Sequence, residues 1–360
     1  MKFRRYIIER LLIAVLATVL LSGCSLIDDE LGECGHKAQD HKLNYELRLV
    51  TNITTEMHTQ LGQETDAKLA TALSEHLSGI FTDYAHDVDL SFYDTVGDSV
   101  RLQHEKHIMD ASQRSYTLNL PKREYMHLAI ANTEGNRVVN LTNDERCHPS
   151  RLETVASWAS KQTQADTIDS HTTGLFTARQ SMTVKDNIDQ TFNVRLYMAN
   201  CAAALVVEPR SHDVSSMRVF TTGFATQYNI CDSSYTFAAQ SPIVRTTKVA
   251  TDNTSDEVCY VSVNFPSREP KTTRTVIETT EPFIAQEGDE TLWQFRAYIT
   301  KADGTVTETI LSLRKPLRAG QLKIIRGYVT SDGVVQTDDH TVGVSVTLDW
   351  KEGMHHDIPL

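Results

Sequence analysis

The sequence predicts a mainly β protein with two tandem β-sandwich domains, over residues 43–190 and 191–360, and with one or two short helices in the first domain. Along most of the chain after residue 43, apolar and polar residues alternate with a period of two, as they do in half-buried strands. Turn signals separate these short segments, and a clear helical period appears only once. Many short strands with regular turns indicate packed sheets rather than α/β layers.

The first domain opens with an alternating segment at residues 45–50. An amphipathic helix follows, which Asp66 can cap. Its apolar face is formed by Leu69, Leu73, Leu77, Ile80 and Phe81. The segments 88–92, 116–120 and 126–130 alternate again and are predicted to be strands.

The end of the first domain is less regular. Ser150, Arg151, Leu152 and Glu153 have the spacing of a capping box, which predicts a second short helix with Leu152, Val155 and Trp158 on its buried side. Residues 161–173 are polar and lack a period, so they are predicted to form a long loop. The segments 174–176 and 182–184 are interpreted as the closing strands of this domain.

The second domain is predicted to be almost entirely β. One long strand is expected over residues 192–207, with a change of phase near Asn200 that suggests a β-bulge. Asp303-Gly304 predicts a hairpin turn, and Asp332-Gly333 predicts another. The last alternation is the most regular one and consists of Val342, Val344, Val346, Leu348 and Trp350.

The first 23 residues have the order of a secretory signal peptide. Basic residues near the start precede an apolar run at residues 11–21, which is too short to cross about 30 Å of hydrocarbon comfortably. The run ends in Leu21-Ser22-Gly23-Cys24, which resembles a bacterial lipobox. That resemblance implies cleavage before Cys24 and a lipid on the Cys24 side chain. Residues 24–42 are then a lipidated tether.

The tether carries an acidic triplet, Asp28, Asp29 and Glu30, which resembles the surface-export signal of Bacteroidetes lipoproteins. This resemblance implies a protein in the outer membrane that faces the cell exterior. A merely solvated tether is the alternative. The formal net charge is −12, and removal of residues 1–23, which carry +3, leaves −15. So acidic a chain argues against nucleic acid as a partner, because nucleic acid requires a basic face.

Six cysteines are present, and five remain if Cys24 carries a lipid. None has C-x-x-C spacing, which argues against a zinc ribbon or a thioredoxin-type site. Cys201 and Cys259 lie in apolar strand patterns and are expected to be buried as small hydrophobic residues. Cys34 and Cys147 lie in polar surroundings, and a disulfide between them is allowed by the sequence but not decided by it.

No catalytic, cofactor or metal motif is recognisable. The chain lacks a G-x-S-x-G elbow, a Walker loop and a G-x-G-x-x-G turn. His104 and His107 are three residues apart on a predicted polar segment, where a metal role is the weaker interpretation. Asp87, Asp89, Asp94 and Asp98 faintly suggest a calcium loop, but the residues between them are strand-like and the glycine is misplaced for an EF-hand. Trp158, Trp293 and Trp350 could form sugar platforms, but their apolar phase favours core packing. An enzyme is therefore not expected.

The order of features along the chain resembles the fimbrial anchor subunits of Bacteroidetes, of the FimB type. The features are the lipobox, Cys34, the early strand at residues 43–54, Leu175-Phe176, a second β domain from Phe192, and the ending at residues 344–350. The resemblance implies two transthyretin-like β-sandwich domains, a place at the base of a type V pilus, a lipid anchor in the outer membrane, fimbrillin stalk subunits as partners, and no catalysis or cofactor. The predicted helices and long loop depart from this pattern.

The resemblance also suggests how growth of the fibre stops. Stalk subunits of the family lose their N-terminal strand by proteolysis and thereby gain a groove, whereas an anchor whose lipid precedes that strand should keep it. The regular strand after residue 342 is expected to be buried in its own domain, and the tail at 351–360 or the strand itself is a candidate contact to the stalk. A surface lipoprotein that binds glycan or acts as an adhesin is the alternative function.

Overall fold

The computed structural model describes residues 40–50, 67–80, 87–95, 101–108, 115–134, 139–142, 151–154, 167–185, 190–210, 214–249, 257–270, 290–339 and 342–347. These residues form one helix and 22 strands in several sheets, so the predicted mainly β class is confirmed. Among them, no helix is both long enough and apolar enough to span a membrane.

The first half of the chain contains the helix, α1, at Ala67–Ile80. Its strands are, in chain order, β1 (Asp40–Val50), β2 (Asp87–Asp94), β3 (Arg101–Ile108), β4 (Ser115–Pro121), β5 (Glu124–Ala131), β6 (Val139–Thr142), β7 (Arg151–Thr154), β8 (Thr167–Ile168), β9 (Phe176–Thr183) and β10 (Gln190–Met198).

The second half contains strands alone within the described residues. They are β11 (Cys201–Pro209), β12 (Val214–Thr222), β13 (Gln227–Asn229), β14 (Ser234–Thr236), β15 (Ile243–Arg245), β16 (Thr247–Val249), β17 (Val258–Asn264), β18 (Trp293–Lys301), β19 (Val306–Leu313), β20 (Leu322–Val329), β21 (Val335–Gln336) and β22 (Val342–Thr347).

A seven-stranded sheet forms the first layer, with the order β3-β2-β5-β9-β10-β1-β4. Strand β1 lies parallel to β10 and antiparallel to β4. The predicted alternation is clearest in β4, where Tyr116, Leu118 and Leu120 are buried and the residues between them are exposed. The sequence pattern therefore gives the correct face of this strand.

Helix α1 and two sheets share one hydrophobic core. Leu69, Leu73 and Leu77 of the helix are completely buried, as the helical period predicts. They pack with one face of the seven-stranded sheet and with one face of a five-stranded sheet of order β16-β17-β11-β20-β21. The five-stranded sheet contributes Ala202, Ala204, Val206, Cys259, Val261, Val263 and Leu322.

The opposite face of the five-stranded sheet packs against a six-stranded sheet of order β22-β19-β18-β12-β15-β8. Strands with both faces buried read as continuous apolar runs, and residues 201–207 of β11 are all buried. The hairpin between β18 and β19 turns at Gly304, which has a φ of +84°, as Asp303-Gly304 predicts. Trp293 is buried in this core, and its indole N–H donates to the Lys315 carbonyl at 3.0 Å.

A four-stranded sheet of order β14-β13-β7-β6 covers part of the other face of the first layer. Here the prediction of a second helix is wrong. Residues 151–154 form strand β7, in which Leu152 pairs with Leu141 of β6 and with Tyr228 of β13. Pairing with distant strands on both sides overrides the local capping-box pattern.

The structure differs from the sequence prediction at three further places, and in each of them contacts with residues elsewhere in the chain decide the result. Strand β2 is buried on both faces, rather than half-buried as its alternation predicts. The predicted long strand over residues 192–207 is two strands, β10 and β11, which belong to different sheets. Part of the predicted loop at 161–173 is also structured, because β8 pairs parallel to β15 and His171 is buried.

The predicted division between residues 190 and 191 stays a prediction. In the structure, the seven-stranded sheet continues through β10 to Met198, and the five-stranded sheet begins with Cys201. Neighbouring sheets thus meet at Ala199 and Asn200.

Candidate attachment surfaces

The N-terminal strand is an internal member of its own sheet. Strand β1 pairs with β10 over Leu43–Val50 and with β4 over Asp40–Glu46, so both of its edges carry main-chain partners. Leu43 is completely buried in the core with α1. The predicted buried positions Tyr45, Leu47 and Leu49 lie on this strand, but their side chains are outside the part that the structure describes.

The junction between the first sheet and the second half is held by a buried hydrogen-bond cluster. The Asn200 side-chain oxygen accepts from the Leu175 N–H at 2.7 Å, and its amide nitrogen lies 2.6 Å from His171 Nδ1. The Asn200 carbonyl accepts from the Gly320 N–H at 2.8 Å, and the His171 N–H donates to the Val263 carbonyl at 2.9 Å. Because four separate segments meet here, the two halves are joined by more than the covalent chain.

His171 is neutral in this cluster. Burial lowers the pKa of His171 to about 3, since the protonated ring cannot be solvated there. A neutral Nδ1 can accept from the Asn200 amide, whereas a protonated Nδ1 cannot. Burial likewise lowers the pKa of His127 to about 4, against a smaller opposing effect of its bond to the Ser91 carbonyl.

The C-terminal strand β22 is an edge strand of the six-stranded sheet. It pairs with β19 on one side, and within the described residues nothing pairs with its other side. Val344 is 41% exposed and Val346 is 38% exposed, although their cross-strand neighbours Leu311 and Thr309 are completely buried. The expectation that this strand is buried in its own domain is therefore wrong for Val344 and Val346, whereas Val342 packs against the core between the five-stranded and six-stranded sheets; Leu348 and Trp350 lie outside the described residues.

Several predicted functional residues fall outside the described part of the chain. These are Cys24, Asp28, Asp29, Glu30, Cys34 and Cys147, together with Trp158 and Trp350. The lipid site, the export signal and the disulfide therefore stay predictions. Cys201 and Cys259 are buried as predicted, and burial raises the pKa of the Cys201 thiol.

The histidines and carboxylates considered for metal binding form ordinary pairs. His104 Nε2 lies 2.7 Å from a carboxylate oxygen of the buried Asp89, and His107 Nε2 lies 3.0 Å from Glu105. Asp87 accepts from the main-chain N–H groups of the 133–134 turn. Among the described residues, no group of three or more His, Cys, Asp or Glu side chains could hold a metal ion.

Sequence reasoning did not find the Asn200–His171 cluster or the exposed face of β22. The change of phase near Asn200 was a usable signal for the first, because a buried polar residue at a strand break needs partners. For the second, no local signal exists: Val344 and Val346 have the same alternation as the buried strands, and only the extent of the opposite sheet decides their exposure.

The model of the fimbrillin-A associated anchor proteins Mfa1 and Mfa2 matches residues 65–352. The chain belongs to this family. The predicted resemblance to fimbrial anchor subunits of Bacteroidetes is thus confirmed. Membership makes the protein part of a structural rather than an enzyme family, and it implies association with fimbrial subunits and with the cell surface or outer membrane.

Solved structures are similar at low identity. The anchor protein Mfa2 from Porphyromonas gingivalis aligns at 11% identity and a TM-score of 0.42, covering 86% of this chain and 97% of that one. The tip protein Mfa3 from the same organism aligns at 12% and 0.40, covering 86% and 100%. A candidate adhesin from Bacteroides ovatus aligns at 11% and 0.49, covering 88% and 96%. Because these TM-scores lie below 0.5, the assignment rests on the family model alone.

No curated protein sequence matches the chain.

The neutral state of His171 predicts a loss of stability in acid. The unfolded chain binds a proton at this residue near pH 6.5, whereas the folded chain does so only near pH 3. Stability should therefore fall as the pH is lowered from 6.5 towards 3, by up to about 1.4 kcal/mol per pH unit for this residue. His171→Gln should flatten the pH dependence of the melting temperature. If the melting temperature changed equally with pH in the wild type and in His171→Gln, the neutral state of His171 in the folded protein would be contradicted.

The exposure of β22 predicts a tolerant edge. Val346→Asp should change the free energy of unfolding by about 1 kcal/mol or less, because the new carboxylate reaches water. Leu311→Asp, on the adjacent strand, should prevent stable folding, since it places an unpaired charge in the core. Thermal melting of the two variants compares them directly, and similar losses would show that Val346 is a core residue.

Proposed function

We propose that this protein is the anchor subunit of a surface fimbria of the type V class, attached to the outer membrane by a lipid on Cys24, and that it ends subunit addition at the base of the fibre. The proposal extends family membership to this chain's own residues. It includes two tandem domains of transthyretin-like type as the finer description of the fold. The observation that carries it is the position of β1 inside its own sheet.

An internal position of a sheet that already holds a strand cannot accept a further one. Exposed strand edges present unpaired N–H and C=O groups, which a partner strand can pair with. Here β1 occupies the place between β10 and β4, with eight register pairs to the first and seven to the second. A stalk subunit that offered a strand at this place would have to displace β1. Since β1 is covalently joined to the tether at residues 24–39, displacement would also be entropically disfavoured.

The same position suits a tether that carries load. Cys24 precedes the N-terminal end of β1 in the chain, so a pull on the lipid is applied to that end of the strand. Ladder hydrogen bonds run perpendicular to antiparallel strands such as β1 and β4 and are slanted between parallel strands such as β1 and β10, so a pull along β1 would load both ladders in shear. A strand with partners on both sides resists such a pull better than an edge strand.

The exposed edge of β22 is the proposed contact to the stalk. Its side away from β19, which has no partner strand among the described residues, offers main-chain groups, and Val344 and Val346 offer apolar surface beside them. Membership of a fimbrillin-associated family names the class of partner. Strand addition at this edge would pair the main-chain groups and cover the valines at the same time.

Replacement of Cys24 tests the lipid anchor. Cys24→Ala should give a protein in the aqueous phase of a detergent partition and release fimbriae into the medium, whereas Cys34→Ala should leave both properties unchanged. The mass of the wild-type mature chain should correspond to a start at Cys24 and should include β1. Retention of Cys24→Ala in the detergent phase, or a mature chain that starts after Val50, would contradict the proposal.

Replacement of the acidic triplet tests surface display. With Asp28, Asp29 and Glu30 all changed to Ala, the protein should remain lipidated but face the periplasm. Protease added to intact cells should then digest the wild type and spare the variant. Equal digestion would show that these residues are only a solvated tether.

Lysines on β22 test the stalk contact. The double variant Val344→Lys/Val346→Lys should fold, because both positions are exposed, but it should hold fewer fimbriae on the cell. The matched control is Leu102→Lys/Ile108→Lys on β3. This strand is an edge strand of the seven-stranded sheet, and both residues are exposed and apolar. Normal fimbriation of the β22 variant, or an equal loss in the control, would refute a contact at β22.

A further inference from the structure

A notch opens in the seven-stranded sheet where β9 and β10 separate. The two strands pair only through Thr177–Tyr197 and Phe176–Met198, although β9 continues to Thr183 and β10 begins at Gln190. At the far end, the Gln190 side chain bridges the strands: its oxygen accepts from the Lys185 N–H at 2.7 Å, and its amide donates to the Thr183 carbonyl at 3.4 Å. The strands are thus joined at both ends and open between them.

The notch has a volume of about 360 Å³. It lies on the face of β10 that points away from the core, since Val194, Leu196 and Met198 fill the opposite face. The side chains around it are polar, cationic or aromatic. They are Arg179, Gln180, Asn193, Arg195 and Tyr197.

Two arginines of the notch lack an acidic partner. Arg179 and Arg195 are exposed, and among the described residues no carboxylate lies within ion-pair distance of either. Hydrogen bonds from the Ser234 hydroxyl and N–H, at 2.6 and 3.0 Å, lower the pKa of Asp232, and the Arg179 charge contributes a smaller part in the same direction. A third arginine, Arg48, stands opposite Arg195 in the register of β1.

Arginines lie on neighbouring strands here, with no carboxylate of the described residues within ion-pair distance of Arg179 or Arg195. Like charges on neighbouring strands destabilise a sheet, and a protein with a net charge of −12 has carboxylates available to neutralise them. Guanidinium groups on neighbouring strands can bind oxyanions such as carboxylate, sulfate or phosphate. A bound anion would remove the repulsion that the sheet otherwise contains.

Two of the remaining side chains match a sugar ring. Tyr197 is 51% exposed, so its aromatic face is available to stack on the apolar face of a pyranose. The Asn193 amide, on the same outward face as Tyr197, can donate to and accept from hydroxyl groups, whereas Gln180 alternates to the core side of β9 with Ala178 and Met182. A free inorganic anion would need neither Tyr197 nor Asn193.

We propose that the notch between β9 and β10 binds an acidic saccharide, with Arg179 and Arg195 on its carboxylate, sulfate or phosphate group and Tyr197 on its ring. This binding is independent of the anchoring role, because the notch uses neither β1's main-chain edges nor β22.

The test uses the purified full chain in detergent, with sialyllactose, sulfated lactose, neutral lactose and inorganic phosphate as probes in calorimetric titrations. The charged sugars should bind and neutral lactose should not bind at the same concentrations. Arg179→Gln/Arg195→Gln should weaken binding of the charged sugars by roughly tenfold or more. The matched control Arg245→Gln/Arg318→Gln changes the net charge equally at exposed, paired arginines and should bind as the wild type does.

Tyr197→Ala separates a saccharide site from an anion site. It should weaken binding of the charged sugars and leave the affinity for inorganic phosphate unchanged. The proposal is overturned if charged sugars do not bind, if they bind equally well to the Arg179→Gln/Arg195→Gln variant, or if Tyr197→Ala has no effect on them. Melting temperatures are measured for all variants. A value at or above that of the wild type shows that a loss of binding is not caused by a loss of folding.

Discussion

The two hydrogen-bonded ladders of β1 hold the first layer of this protein together. In the order β3-β2-β5-β9-β10-β1-β4, strand β4 reaches the sheet only through β1. Removal of β1 would leave β4 without its ladder partner, and the buried Tyr116, Leu118 and Leu120 would lose the neighbour that positions them. The edge of β10 would be exposed at the same time, so β1 both stabilises the layer and pairs with the main-chain groups of β10 that would otherwise form an open edge.

The second constraint is that the five-stranded sheet is buried on both faces. One face shares a core with α1 and the first layer, and the other forms the core with the six-stranded sheet. A sheet that is covered on both sides cannot shift towards one neighbour without opening a gap at the other, because close-packed interiors tolerate few voids. Hydrogen bonds are directional, and those of the Asn200–His171 cluster hold the chain at the place where β10 ends and β11 begins.

The sequence predicts those elements well whose environment is set locally. Helix α1 and strand β4 each have one buried face, so the period of apolar residues identifies both the element and its orientation. Prediction from the sequence fails where pairing with another strand, or packing against another sheet, decides the secondary structure or the exposure of a segment. The capping-box residues at 151–153 become a strand because β6 and β13 flank them, and Val344 and Val346 of β22 are exposed although their alternation is that of a buried strand. The β9–β10 notch has no sequence signal at all, since it arises from the separation of two otherwise ordinary strands.

The positions of β1 and β22 define how an anchor of this architecture would transmit force. The two strands lie in different sheets, and one connection between them begins with the ladder from β1 to β10. It then follows the chain through Ala199 and Asn200 into β11, which is central in the five-stranded sheet, and crosses the second core to the sheet that contains β22. The core that the first layer shares with the five-stranded sheet runs beside the covalent step at Asn200, and four segments are hydrogen-bonded together at that residue. A load that passes from β10 to β11 is therefore carried by the polar cluster and by the shared core together, and not by the covalent chain alone.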